Sequence, residues 1–110
     1  MFTRARRAEV ERAIVKSVIE AAIKQGWRLD AASNGEEYEE DIGPKRAMEI
    51  AFACDEAHVY FRKGEQRGWV FIVLGNEGWT VIADYTISLD PVIDSIQELV
   101  DRFEKEDTES

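Results

Sequence analysis

One histidine and one cysteine, His58 and Cys54, leave the chain few routes to covalent chemistry. A Cys–His pair needs an activated thiol, a base and donors for the developing oxyanion. No glycine elbow accompanies these two, so His58 reads as an ordinary core or surface histidine and Cys54 as a small buried hydrophobe. A structural zinc site takes about four Cys or His ligands, and the chain holds one of each. Asp30, Asn34, Gly35 and Asp41 fall on positions one, five, six and twelve of a calcium-loop pattern. Ala32 occupies position three, however, and Asp41 stands where a closing Glu is usual, while Asn34-Gly35 is explained by a turn. No metal and no cofactor is expected.

Carboxylates are the remaining chemical resource. Asp55, Glu56 and Asp84 could serve general acid–base work only if a cleft set their pKa values apart. Glu36, Glu37, Glu39, Glu40 and Asp41 form an acidic cluster inside 30–41, which holds six acids and no base. Such runs are ordinarily solvated surface. Gly75-Asn76-Glu77-Gly78 lacks the Lys and the following helix of a phosphate loop. The chain carries 23 acids against 14 Lys plus Arg, a net charge of −9. That field opposes contact with nucleic acid or anionic membrane.

These residues need elements to hold them. A length of 110 residues points to a single domain over 1–105 with an acidic tail at 106–110. The apolar run Trp69 to Leu74 is far below the roughly 20 residues that cross a bilayer. With no signal-peptide pattern at Met1 to Arg7 and one cysteine, the expected setting is the cytoplasm. Val10, Ile14, Val18 and Ala21, widened by Val15, Ile19, Ala22 and Ile23, predict an amphipathic helix over 4–25. Arginines in its first turn oppose the helix dipole and call for an acidic surface nearby, or fraying. Asn34-Gly35 predicts a hairpin over 27–42 with a two-residue loop, pairing Ala31 with Tyr38. Pro44 opens a short helix to about Cys54, and Asp90-Pro91 opens the last helix, apolar to Phe103.

A three-stranded meander, 58–63, 68–74 and 79–86, is the clearest feature. With four-residue loops, Val59, Phe61, Val70, Ile72, Leu74, Trp79, Val81 and Ala83 share one apolar face. His58, Tyr60, Arg62, Trp69, Phe71, Val73, Thr80, Ile82 and Asp84 share the other. That second face is richer in large rings than a wetted face needs. Its aromatics are similar to those of single-stranded nucleic-acid platforms, but Arg62 is the lone cation among them, so no direct nucleic-acid contact is expected. The fold class is therefore α+β: an antiparallel sheet of meander plus hairpin, with N-terminal, middle and C-terminal helices.

Asp55-Glu56, Val59-Tyr60-Phe61, Gly68-Trp69-Val70, Gly75-Asn76, Asp84-Tyr85-Thr86 and the closing helix together resemble a family of small phage- and prophage-encoded proteins of unknown function. The likeness covers about 53–103. It implies a bacterial or phage setting and an accessory, protein-binding role, and it carries no catalytic residue. The expected function is a non-enzymatic interaction protein, a homodimer through the second sheet face with His58, Tyr60, Arg62, Trp69, Phe71 and Ile82. One alternative is an acidic nucleic-acid mimic that fills the basic groove of a host enzyme. The other is a small enzyme using Asp55, Glu56 and Asp84.

Overall fold

Thr3 caps the first helix by accepting the Arg6 backbone N–H at 3.1 Å on its side-chain oxygen. The computed structural model describes residues 3–75 and 81–109. Helix α1 (Arg4–Lys24) is followed by strands β1 (Arg28–Ser33) and β2 (Tyr38–Glu40), helix α2 (Pro44–Ala51), strands β3 (Glu56–Lys63), β4 (Gln66–Val73) and β5 (Ile82–Tyr85), a 3-10 turn (Ile87–Leu89) and helix α3 (Asp90–Glu109). The five strands form one antiparallel sheet in the order β2-β1-β3-β4-β5, ending in short strands at both edges.

The helices all pack from one side. Val10, Ile14, Val15, Val18, Ile19 and Ala22 of α1 join Ala47, Ile50 and Ala51 of α2, Val92, Ile93 and Ile96 of α3, and Val59, Phe61, Val70 and Ile72 of the sheet in one core. Ile23, expected to widen the α1 stripe, is instead exposed. The acidic surface called for by the α1 arginines is the far end of α3: Arg6 pairs with Glu106 at 3.2 Å and lies over the Phe103 ring. Helix α3 thus stays helical to Glu109, beyond Phe103 and through most of the expected acidic tail.

Registers differ from expectation by even steps. The β3–β4 hairpin closes with Lys63 opposite Gln66, so two residues turn the chain where four were expected. Gly64, at φ +62°, takes the left-handed position that such a tight turn needs. The β1–β2 hairpin shifts the other way: Ser33 faces Tyr38 and Ala31 faces Glu40. Its loop is widened by Asn34, whose Oδ1 accepts the N–H groups of Glu36 and Glu37 at 3.0 and 2.8 Å. The Asn34 amide also donates to the carbonyl of Ile50, tying the loop to α2. Because the side-chain period of a strand is two, these shifts leave every residue on its expected face.

Two bulges do not. In β1 the register slips between Leu29 and Ala31, leaving Asp30 as the extra residue. In the β4–β5 pair, Phe71 faces Asp84 but Ile72 faces Ile82, leaving Ala83 as the extra residue. Ile82 therefore turns to the helix side, where it packs on the core, and Ala83 is exposed. Both placements correct the expectation, which put Ile82 on the second face and Ala83 on the first. Trp79 and Thr80 lie outside the described residues.

Candidate sheet-face interface

Alternation along β3 and β4 is what builds the site. Ala57, Val59 and Phe61 point to the helices, so His58, Tyr60 and Arg62 point away; Val70 and Ile72 point to the helices, so Trp69, Phe71 and Val73 point away. Three helices on the first face leave this second face without a helical cover among the described residues. His58 stacks on Phe71 with ring centroids 4.7 Å apart and 22° between planes, and meets Trp69 edge-on at 5.6 Å. Tyr60 lies 6.0 Å from His58 on its other flank, and Tyr38 of β2 meets Tyr60 at 6.4 Å. Ala31 beneath them is only 1% exposed although it belongs to the outer face, so the rings form a continuous layer over the strands.

Of the six residues expected to form the contact face, five are brought together: His58, Tyr60, Arg62, Trp69 and Phe71. Ile82 is not. Three further residues belong to the face without having been expected there. Tyr38 joins the rings because β2 lies beside β1 and the bulge at Asp30 turns Ala31 to the outer face, while Trp27 and Ile42 pack on the core. Arg28 and Arg67 flank Arg62 across the strands, Arg28 opposite Arg62 and Arg62 opposite Arg67. A four-residue turn would put Arg67 in the loop; the two-residue turn puts it on the strand. A cleft of about 520 Å³ runs over this face, lined by Asp30, Tyr38, Tyr60, Arg67, Trp69 and Thr86. A smaller hollow of about 170 Å³ lies at the other end, beside Ser33, Glu56, His58 and Phe71.

The acidic cluster does two separate jobs. Glu37 and Glu39 both accept hydrogen bonds from the guanidinium of Arg46 on α2, with Arg46 Nε to Glu39 at 2.8 Å and Arg46 to Glu37 at 2.9 Å. That bond holds the Glu39 carboxyl below its usual range, against a smaller opposing pull from desolvation. Glu40 accepts from the Tyr38 hydroxyl at 3.0 Å, which pushes the phenol up. Glu36 and Asp41 are exposed. Burial pushes the Cys54 thiol up, with Glu36 adding to the effect, so this sulfur is kept as a neutral thiol, not activated as a nucleophile.

Of the three candidate acid–base carboxylates, Asp55 and Glu56 are consecutive and Asp84 stands two strands away. Glu56 edges the small hollow, Asp84 stands on β5 opposite Phe71, and Asp55 sits before β3 with its backbone carbonyl accepting from Leu74. Among the described residues, no three His, Cys, Asp or Glu side chains converge to hold a metal ion. No helix among the described residues is long and apolar enough to cross a membrane. On the helix side, Glu11 is a buried carboxylate that accepts the Gly75 N–H at 2.8 Å, fixing the chain where it leaves β4.

The chain matches no protein-family model, no curated protein and no solved structure. No relative therefore lends any residue a role, and the chemistry of the face has to speak for itself.

Proposed function

We propose that this chain is a non-enzymatic interaction protein that works through the outer face of its sheet and associates with itself there. The observation that carries the reading is the ring layer of His58, Tyr60, Trp69 and Phe71 on the side the helices leave open. Aromatic residues and Arg are the types enriched in interface cores and among residues that dominate binding energy. An apolar patch of this kind on a small domain marks a contact surface. The resemblance over 53–103 supports a bacterial or phage accessory protein of the cytoplasm.

The nucleic-acid mimic has less to draw on, because Glu37 and Glu39 are engaged with Arg46. An enzyme would need Asp55, Glu56 and Asp84 to converge in one cleft, and the hollow that Glu56 edges is lined by neither Asp55 nor Asp84. The test is the mass in solution, by light scattering on a sizing column, of the wild type and of Trp69→Glu. Trp69 is half-buried on the outer face, so a charge there should split an assembly without unfolding the core. A wild-type dimer converted to monomer is expected. A mass that Trp69→Glu leaves unchanged would sink the proposal.

A further inference from the structure

We infer that the occupant of the open face is a second copy of this chain, seated with its strands antiparallel to the first. The two-fold axis lies between the two sheets and runs across the strands, between the His58–Phe71 row and the Tyr60–Trp69 row. This inference rests on the reading above that the chain associates with itself through the outer face, and adds the orientation of the two copies.

Directly opposed residues share a face, so the strand register lays the outer surface out in rows. At one end, Arg28, Arg62 and Arg67 stand side by side on β1, β3 and β4. Next comes Tyr60 beside Trp69, then His58 beside Phe71 and Asp84. Glu56, opposite Val73, closes the other end. Like charges directly opposed across strands destabilise a sheet. Asp30, the bulged residue, relieves Arg62 at 3.6 Å. Among the described residues, Arg28 and Arg67 form no ion pair, and neither do Glu56 and Asp84. The face is thus polarised, with the excess of cations at one end, where Asp30 and Glu40 offset part of the arginine charge, and Glu56 and Asp84 towards the other. It is also close to charge balance, with three arginines against Asp30, Glu40, Glu56 and Asp84, in a chain of net charge −9. Two copies that repel elsewhere meet least repulsion here.

A two-fold pair presents the same patch twice, and aligned sheets pack with strands nearly along one another. Two seatings satisfy both conditions. An axis along the strands sets arginine row on arginine row. An axis across the strands sets each row on its opposite: Arg62 over Glu56 of the second copy, Tyr60 over His58, and Trp69 over Phe71. Each of these contacts occurs twice by symmetry, cation on carboxylate and ring on ring. The polarity of the face selects the second seating.

Sedimentation equilibrium on the full chain tests this with Glu56→Arg, Arg62→Glu and their equimolar mixture, beside the wild type and Trp69→Glu, with circular dichroism as a check of folding. Each charge variant alone should weaken the dimer at least about tenfold, since like charges then face each other twice. Mixing the two should restore a dimer, because every facing pair again joins cation to carboxylate. Charge variants that dimerise like the wild type, or that fail to recover on mixing, overturn the antiparallel seating while a dimer dissociated by Trp69→Glu keeps the contact face. A monomeric wild type, or a dimer indifferent to Trp69→Glu, overturns both. Should Arg62→Glu not fold beside Asp30, Arg62→Gln takes its place: alone it should weaken the dimer, and mixed with Glu56→Arg it should bind better than Glu56→Arg binds itself, a mixture without that gain overturning the seating.

Discussion

Arg46 is the residue on which the acidic segment turns. Its guanidinium holds Glu37 and Glu39, so two of the five carboxylates that look like an anionic patch in the sequence are a brace between β2 and α2. Glu39 is held below its ordinary value by that bond. A carboxyl depressed in the folded state contributes stability that is present above its unfolded value and is lost as pH falls through the folded one. Arg46→Ala should therefore lower the melting temperature at neutral pH. The gap to wild type should close as pH falls through and below the usual carboxylate range, since protonated Glu39 no longer gains from Arg46. Melting curves across that pH series check it. A gap that persists unchanged into strong acid would mean the side chain acts through packing of its alkyl stem. Nothing in the residue types distinguished these two glutamates from Glu36, Glu40 and Asp41. The distinction depends on Arg46, seven residues beyond Glu39 in the first turn of α2, arriving on the same side of β2 as the odd-numbered acids.

At the scale of elements, what the sequence made legible was parity, and what it hid was register. Alternation of Val59 and Phe61 with His58 and Tyr60 assigns faces whatever the turn length, because a two-residue shift preserves them. The number of turn residues between Lys63 and Gln66 is not written in that alternation, so nothing in it separates Arg67 on a strand from Arg67 in a loop, and the arginine row stays hidden. Bulges are harder still. Ala83 is one residue inserted in β5, and it moves Ile82 to the core with no change in composition to announce it. Gly68 shows why one position in β4 carries no side chain. It faces Phe61, and a Cβ there would lie 2.9 Å from Cγ of Leu89 and 3.0 Å from the Thr86 hydroxyl. Gly68→Ala should force the 3-10 turn away from the sheet and cost about 1–3 kcal/mol, as overpacking does. Urea unfolding measures it, and a stability within a few tenths of wild type would show that Leu89 yields without loss.

For the whole molecule, the helices form a lid clasped at its far end by Arg6 with Glu106 and Phe103, and the sheet forms a floor with no helix on its other side among the described residues. A two-layer domain with one open layer gains stability by pairing, and any binding that favours the folded state raises the apparent melting point by mass action. The melting temperature should therefore rise with protein concentration in the wild type and stay flat in Trp69→Glu. Scanning calorimetry over two decades of concentration reads this directly, and a flat wild type would separate folding from association. The edges of the same sheet bear on what kind of assembly can form. An unpaired strand edge invites endless addition of further strands, and proteins that avoid fibres keep such edges short and charged. Here one edge is the three residues Tyr38–Glu40, two of them glutamates, and the other is the four residues Ile82–Tyr85, with a bulge and Asp84. Both margins thus discourage growth sideways, which leaves the proposed self-association the sheet face between them. Under the proposed pairing that surface would be used up once two copies have met, and assembly would end there instead of propagating into a filament.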